Sequence, residues 1–407
     1  MRLHYLTLYT FSVFAMSQTN TLKYPVLGKL SAAQFLKQYW QKKPLLIRKA
    51  FNPFPDVISP DELAGMCCDP QIESRLILER GGKSPWELRK GPFKPSMFKK
   101  LPKTHWTFLV NGVDRFVPGV HDLLDQFSFI PFWRIDDVMM SYAVDQGNVG
   151  AHVDNYDVFL VQVAGQREWK IEDKAMVGDD FVANLPIRLL KRFKPTQTWV
   201  LEPGDMLYLP PRFAHHGIAQ GTDCVTMSVG FRAPSIADLV NSVSSAALSR
   251  VDENERYTDP DLPLQHPGAI TSKTLEKVRG LVEKQIFNPE SFSDWFGRFV
   301  TESYSDVEFP PPRKPLPSAT VKKLLKSATL IARVEGARLA FIQDSPRAIR
   351  LFANGDVLQL EGDAAELGKI LASRISLPAT LLQPFSGAVS ISLLGELFAR
   401  GLLAAVP

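Results

Sequence analysis

The stretch Gly150-Ala151-His152-Val153-Asp154-Asn155-Tyr156-Asp157 sets a histidine two residues before an aspartate, at the start of an apolar run. Strand side chains alternate between two faces, so His152 and Asp154 project to the same side. A second stretch, Pro210-Pro211-Arg212-Phe213-Ala214-His215-His216-Gly217, follows a predicted turn and strand and supplies another imidazole. Two imidazoles and one carboxylate on one face can bind a metal ion and leave its other coordination positions open, as in non-haem iron oxygenases.

The distal ligand is ambiguous because two histidines are adjacent. Neighbouring residues of a strand point to opposite faces, so only one of them can face the metal. His215 is the predicted ligand, because it ends the Pro-x-Phe-x-His run just before the turn at Gly217. His216 then turns away from the metal; the reversed assignment is the alternative.

An open iron site needs two electrons to activate oxygen, and a 2-oxo acid bound through two atoms supplies them. The far carboxylate of such a cosubstrate requires a cation. Arg167 begins the Arg167-Glu168-Trp169-Lys170 strand, where its guanidinium could bind that carboxylate through two hydrogen bonds. Ser228 could add a hydroxyl from the last predicted strand. The alternative for Arg167 is a surface charge at a hairpin end.

The sequence around these motifs predicts a β-barrel. Short apolar runs separated by Gly- and Pro-containing turns are typical of a double-stranded β-helix, the jelly-roll cupin fold. The predicted strands are 138–144, 157–163, 167–171, 198–201, 205–209 and 225–231. Capped helices and further strands from residue 30 onward precede them, so 30–234 is predicted to be the catalytic domain and 1–29 an N-terminal extension.

The sequence after the barrel predicts three further regions. Residues 235–308 contain two amphipathic helices, a small bundle whose apolar stripe packs on the barrel or pairs with another subunit. The sequence alone favours packing on the barrel. Residues 309–317 form a stiff Pro-rich linker. Residues 318–407 resemble a winged helix of the α+β type. Lys322, Lys323 and Lys326 there are interpreted as a solvated face rather than a nucleic-acid-binding surface.

Composition describes a globular protein. The 407 residues are 45% hydrophobic and 22% charged with a net charge of +4, and this length predicts two or three domains. Three cysteines make no disulfide framework, which favours the reducing cytoplasm. No apolar run is long enough for a membrane span. Met1–Ala15 resembles a secretory signal, but polar residues interrupt it, and an over-extended start codon is the favoured interpretation.

Several motifs together resemble the JmjC-type bacterial ribosomal oxygenases of the cupin superfamily, and the resemblance covers nearly the whole chain after Met16. The motifs are Asp136–Met139, Gly150–Phe159, Leu207–His215 and Ser228–Pro234. Members of this family are iron(II)- and 2-oxoglutarate-dependent dioxygenases. Their closest bacterial members hydroxylate an arginine side chain of the large-subunit ribosomal protein numbered sixteen.

The resemblance implies a role for individual residues. It implies iron(II) on His152, Asp154 and His215, and 2-oxoglutarate on Arg167, with O2 as the other cosubstrate. It also implies a homodimer through the helical region. The target arginine maps onto Asp137, Met139 and Tyr156; a carboxylate would pair with the guanidinium while the aromatic ring and the thioether cover its flat face. Ordinary barrel packing is the alternative for Met139 and Tyr156.

Two positions depart from the pattern of the family, and three other functions stay open. Ala143 stands where some relatives have a serine near the cosubstrate, and Arg212 stands beside the distal ligand where relatives carry glycine. The alternatives are an oxygenase that hydroxylates a ribosomal histidine, a metal cupin that is not an oxygenase, and a non-catalytic scaffold.

Overall fold

A computed structural model of the protein describes residues 24–81, 85–178, 180–311 and 313–407. Most strands of its first half join one antiparallel sheet, which curls into a barrel. Its strands are β1 (Leu45–Ile47), β2 (Ser74–Glu79), β3 (Trp86–Lys90), β4 (Trp106–Val110), β5 (Ile135–Ala143), β6 (Val158–Ala175), β7 (Gln197–Leu201), β8 (Met206–Leu209) and β9 (Phe213–Phe231). The strands lie in the order β1-β8-β6-β9-β5-β4-β2-β3, with β7 paired to β6.

The long strands β6 and β9 form the spine of the barrel. They pair from Val158 opposite Gly230 to Ala175 opposite Phe213, with register shifts between Gln162 and Gln166. Such bulges bend a strand pair. The same two strands therefore contribute to both layers of the barrel, with the ligand-bearing end of β9 on one side of the bend and Ser228 on the other.

Alternation along β6 separates two apolar clusters. Phe159 and Val161 face the large core behind the sheet, where they pack with Tyr208 of β8. Val158 and Leu160 point the opposite way and join the smaller cluster inside the barrel. Burying each such side chain contributes about 1.5–3 kcal/mol, so the period-two pattern fixes which residues can line the barrel interior.

Short helices precede the barrel. They are α1 (Ala32–Gln38), α2 (Pro60–Met66), α3 (Pro95–Phe98) and α4 (Pro118–Asp122). The serines before α1 and α2 form capping boxes with the third residue of each helix. Helix α4 continues directly into a 3-10 turn over Leu123–Phe127. Strand β3 was not predicted, because its residues Trp86–Lys90 carry three charges and little alternation.

Three helices follow the barrel: α5 (Ile236–Leu248), α6 (Ser272–Ile286) and α7 (Pro289–Thr301). Sequence analysis predicted α5 and α6 but not α7. Helix α7 packs against the sheet of the C-terminal region. Helices α5 and α6 contact each other yet leave much of their apolar stripe exposed, since Val240 is 57% and Leu275 60% accessible.

The C-terminal region is a compact α+β unit, as predicted. Its elements are α8 (Ser318–Ser327), β10 (Leu330–Arg333), β11 (Leu339–Ser345), β12 (Ala348–Ala353), β13 (Asp356–Glu361), α9 (Gly362–Ala372), β14 (Ser376–Pro378), α10 (Ala388–Ala399) and β15 (Leu403–Val406). Buried Arg338 ties this unit to the barrel, because its guanidinium donates to the carbonyls of Trp133 and Ile135. The three lysines of α8 are exposed, as expected for a solvated face.

The proposed division into regions stays a prediction, with two local observations beside it. Within 309–317, of which Pro312 lies outside the described residues, the Leu316 amide donates to the Gly395 carbonyl and so lies against the C-terminal unit. Val26 and Leu27, at the end of the predicted N-terminal extension, are buried in the large core. The Met1–Ala15 segment lies outside the described residues. Among those described, no helix combines the length and the apolar character needed to cross a membrane.

Candidate active site

The structure brings His152, Asp154 and His215 together at one end of the barrel. One ligand atom from each lies within 4.8 Å of the others. The backbones of the two histidines form a bridge, in which each amide donates to the other's carbonyl at 3.0 Å. This bridge holds the imidazole centroids 4.2 Å apart. The two distant stretches of sequence therefore meet through backbone pairing, and the predicted cluster forms.

Hydrogen bonds fix the tautomer of both imidazoles. His152 Nδ1 lies 2.9 Å from the Gly150 carbonyl, and His215 Nδ1 lies 2.9 Å from the Phe213 carbonyl. A carbonyl only accepts, so each Nδ1 carries the proton and donates it. Each Nε2 is then left with its lone pair, which is the form in which histidine binds a metal.

Burial keeps the His215 imidazole neutral. His215 is 2% exposed, and this burial, followed by the neighbouring His152, lowers its pKa to about 4. Its Nε2 lies 3.6 Å from the Asp154 carboxylate. Two imidazoles and one carboxylate suit a divalent metal that prefers nitrogen and oxygen ligands. The donor set thus fits the implied ion.

The neighbouring His216 points elsewhere. Its Nε2 lies 3.1 Å from Oδ1 of Asn148, and it is absent from the cluster. Burial also lowers the pKa of His216 to about 4. The structure therefore places His215, the residue predicted from the Pro-x-Phe-x-His run, and not His216 beside His152 and Asp154. The turn predicted at Gly217 is absent, because β9 continues through that residue.

Gly150 is required by the backbone of the ligand loop. Its φ is +77°, in the left-handed region that favours glycine. A Cβ there would lie 2.2 Å from Cδ2 of Leu189. The Leu190 amide also donates to the Ala151 carbonyl, so the 189–190 segment closes over the loop. Sequence analysis named Gly150 in the motif without identifying this role.

Arg167 is a buried cation with unused hydrogen-bonding capacity. It is 4% exposed, and within the described part of the chain its Nε and Nη2 have no hydrogen-bond partner. Its Nη1 donates to the Gly217 carbonyl at 3.4 Å. A buried guanidinium normally pairs with an anion. The far carboxylate of 2-oxoglutarate fits this requirement.

Ser228 and Arg167 lie on opposite sides of the bend in β6 and β9. Ser228 is 7% exposed and stands opposite both Met139 of β5 and Leu160 of β6. Residues directly opposite in antiparallel strands share a face. Ser228 and Met139 therefore line the same wall of the barrel, the wall that carries Leu160 of the interior cluster.

Asp137 and Tyr156 meet above Gly230. A Cβ on Gly230 would lie 3.5 Å from Oδ1 of Asp137 and 3.9 Å from the Tyr156 ring. The other Asp137 oxygen accepts from the Gly112 amide at 3.1 Å and lies 3.9 Å from Arg115. Burial, and then the carboxylates of Asp154 and Asp137, raise the pKa of Tyr156. Tyr156 thus joins the metal-ligand cluster to the predicted target site.

Sequence analysis missed the residues that pack around the ligands. Asn148 was not named as a site residue, whereas its side chain accepts a hydrogen bond from the Gly150 amide of the ligand loop. Trp169 was missed as well, although its ring centroid is 5.8 Å from that of His215. A Cβ on Gly217 would lie 2.6 Å from the Trp169 ring, so this ring lies directly on the strand. The glycine next to the double histidine was the available signal.

Comparisons with known proteins agree with this geometry. Residues 122–239 match the JmjC domain and residues 284–404 match the ROXA-like winged helix. The chain is 34% identical to the ribosomal protein uL16 3-hydroxylase of Escherichia coli K12, over 86% of this chain and 91% of that protein. These matches confirm the predicted combination of a JmjC cupin barrel and a winged helix.

Two solved structures extend the comparison. The X-ray structure of E. coli YcfD has a TM-score of 0.81 at 32% identity and covers 92% of this chain and 98% of that one. YcfD in complex with cobalt and 2-oxoglutarate has a TM-score of 0.78 with the same identity and coverage. With a donor set that fits a metal and a buried arginine that fits 2-oxoglutarate, this chain belongs to the JmjC ribosomal oxygenases and is a 2-oxoglutarate-dependent dioxygenase.

Proposed function

We propose that the chain uses iron(II), 2-oxoglutarate and O2 to hydroxylate an arginine side chain of ribosomal protein uL16. The observation that carries this proposal is the cluster of His152, Asp154 and His215 in a barrel that also buries Arg167, whose Nε and Nη2 have no partner in the described structure. The relative with 34% identity, a uL16 3-hydroxylase, supports the choice of protein substrate.

In this proposal His152, Asp154 and His215 hold the metal through two imidazole nitrogens and one carboxylate oxygen. Iron(II), with 2-oxoglutarate and O2, supplies the oxidation that places a hydroxyl on an unactivated carbon and leaves succinate and carbon dioxide. Arg167 orients the cosubstrate through its far carboxylate, and Ser228 contributes a hydroxyl from the other side of the bend in β6 and β9. The Nδ1–H bonds of both histidines keep the ligand geometry fixed between turnovers.

The target site suits a cation. Burial, followed by Asp136, raises the pKa of Asp137, so a guanidinium that arrives there stabilises the ionised form. Tyr156, a residue that is 41% exposed, lies next to this carboxylate and offers its ring to the guanidinium plane. Met139 lies on the same strand as Asp137, two residues further on, and therefore on the same face.

The test is hydroxylation of uL16 in vitro. The full chain is incubated with iron(II), 2-oxoglutarate and uL16, and the protein is digested and sequenced by mass spectrometry. The expected product carries one added oxygen atom on an arginine, and Asp154→Ala abolishes it. Oxygen on a histidine would support the histidine hydroxylase instead. Succinate formation that uL16 does not stimulate would contradict uL16 as substrate.

We extend the proposal to the assembly and the compartment. The exposed apolar stripe of α5 and α6 would pair with the same stripe of a second copy, which gives a homodimer through residues 235–308. Ile236 and Leu248 of α5 are 74% and 72% accessible in the single chain, an apolar exposure that a partner would cover. The three free cysteines and a ribosomal substrate support a cytoplasmic location.

A further inference from the structure

We propose that Asn148 is a positioning residue for the metal centre: its side chain joins Glu79 and His216 to the loop that carries His152, and thereby sets the geometry of that ligand. The inference rests on the metal cluster of the proposed function and assigns a role to three residues outside it.

Asn148 is buried and uses its full hydrogen-bonding capacity. It is 5% exposed. Its Oδ1 accepts from the Gly150 amide at 2.9 Å and from His216 Nε2 at 3.1 Å. Its Nδ2 donates to Oε2 of Glu79 at 2.8 Å and to the Gln146 carbonyl at 2.9 Å. A side-chain amide offers two acceptor and two donor positions, and here all four have a partner.

Gly150 connects this amide to the metal ligand. The Gly150 amide donates to Asn148, while the Gly150 carbonyl accepts from Nδ1 of His152 at 2.9 Å. Two consecutive hydrogen bonds therefore lead from the Asn148 side chain to the imidazole. Because the Nδ1–H bond orients a ligating ring, a shift of Gly150 turns Nε2 away from the metal.

Two of the four partners, Glu79 and His216, connect Asn148 to the strands β2 and β9. Glu79 ends β2, and its amide donates to the His105 carbonyl at 3.0 Å. His216 lies on β9, directly after the ligand His215. Asn148 thus links the His152 loop to the strand that carries the other histidine ligand. Glu79, Asn148 and His216 all lie outside the metal-ligand cluster, so they act through His152.

The chemistry of this site requires an amide. An aspartate at this position has no donor for Glu79 and would set two carboxylates against each other. An alanine would leave the Gly150 amide and the Glu79 oxygen without their partner. The adjacent backbone has little room to compensate, because a Cβ on Gly147 would lie 2.3 Å from the Trp106 carbonyl. Residues that orient a metal ligand typically contribute about 10–100-fold in metal affinity.

The experiment measures binding of cobalt(II) to the full chain by calorimetry and by the visible absorption of the bound ion, without turnover. We expect Asn148→Ala and Asn148→Asp to lower the affinity about 10–100-fold and to change the absorption at saturation. Glu79→Gln keeps an acceptor oxygen for Asn148 and is expected to retain the affinity of the unchanged protein. Asn354→Ala is the matched control.

Asn354 suits this control because its Oδ1 accepts from the Arg338 amide at 2.7 Å in the C-terminal unit. Loss of this hydrogen bond in Asn354→Ala should lower the melting temperature and leave cobalt binding unchanged. An Asn148→Ala protein that folds and binds cobalt as tightly as the unchanged protein would overturn the proposal. An equal loss of affinity in Asn354→Ala would overturn it too, since the effect would then be one of general stability.

Two further variants keep the test decisive. If Asn148→Ala does not fold, Glu79→Ala removes a single bond of the four and is expected to give a smaller loss of affinity; no loss would contradict the role of Asn148. His152→Ala separates this inference from the proposed function. Unchanged cobalt binding in His152→Ala would refute the metal cluster itself, whereas a loss there with none in Asn148→Ala would refute only the positioning role.

Discussion

Replacement of Arg167 by methionine should have opposite effects on cosubstrate binding and on the stability of the ligand-free protein. Arg167 is 4% exposed, and its Nε and Nη2 have no partner among the described residues. Its Nη1 has one long bond, to Gly217. The free donors of the Arg167 guanidinium are therefore available to the far carboxylate of 2-oxoglutarate.

The size of the effect follows from two hydrogen bonds. Each bond between a guanidinium and a carboxylate contributes about 1.5–3 kcal/mol. Two such bonds give about 3–6 kcal/mol, or a loss of about 10²–10⁴-fold in affinity for 2-oxoglutarate. Without cosubstrate, however, methionine removes an unpaired buried charge, and the melting temperature should rise.

The assay is thermal denaturation with and without 2-oxoglutarate in the presence of manganese(II), together with calorimetric titration of the cosubstrate. Arg338 provides the comparison, because it is 7% exposed and donates to the carbonyls of Val300, Trp133 and Ile135. Arg338→Met should lower the melting temperature, since three carbonyls lose their donor. The reasoning is refuted if Arg167→Met lowers it equally, or if it binds 2-oxoglutarate as tightly as the unchanged protein.

Three further predictions concern other parts of the molecule. Gly150→Ala places a Cβ against Leu189 in a backbone of positive φ. It should lower the free energy of unfolding in urea by about 2–4 kcal/mol and weaken metal binding. Burial raises the pKa of Asp114 to about 7 from 3.8, so Asp114 destabilises the fold increasingly as pH rises from about 4 to 7. The free energy of unfolding of Asp114→Asn, relative to that of the unchanged protein, should therefore increase from about pH 4 to pH 7. A difference that decreases with pH would contradict this. Leu281→Asp on α6 should convert a dimer to a monomer by light scattering, while Lys284→Ala on the same helix should not.

The sequence determined much of the site by local rules. Alternation along β9 makes His215 and His216 mutually exclusive as ligands, whereas His152 and Asp154, predicted to share one side of a strand, lie in the loop before β6. Apolar runs predicted the barrel strands, although 157–163 and 167–171 are parts of one strand, β6, and β9 continues through the turn predicted at Gly217. The serine before α2 predicted the start of that helix. These features depend on a few consecutive residues, so they can be identified without knowledge of the fold.

Strand β3 and helix α7 were missed for a physical reason. β3 is a partly exposed edge strand next to β2, and pairing to a neighbour can hold a strand that lacks apolar alternation. α7 is stabilised by packing on the C-terminal sheet, which lies far along the chain. The hydrophobic period of a segment reports its own amphipathicity and does not reveal its tertiary partner.

Only the tertiary structure decided how the ligands are supported. Asn148, Glu79 and His216 come from three separate segments, and nothing in their local sequence shows that one amide has four partners. The lack of a partner for Nε and Nη2 of Arg167 among the described residues is likewise a property of the surrounding barrel. Local sequence fixes the direction of a side chain relative to its own backbone, whereas hydrogen bonding and burial depend on groups that only folding brings within a few ångströms.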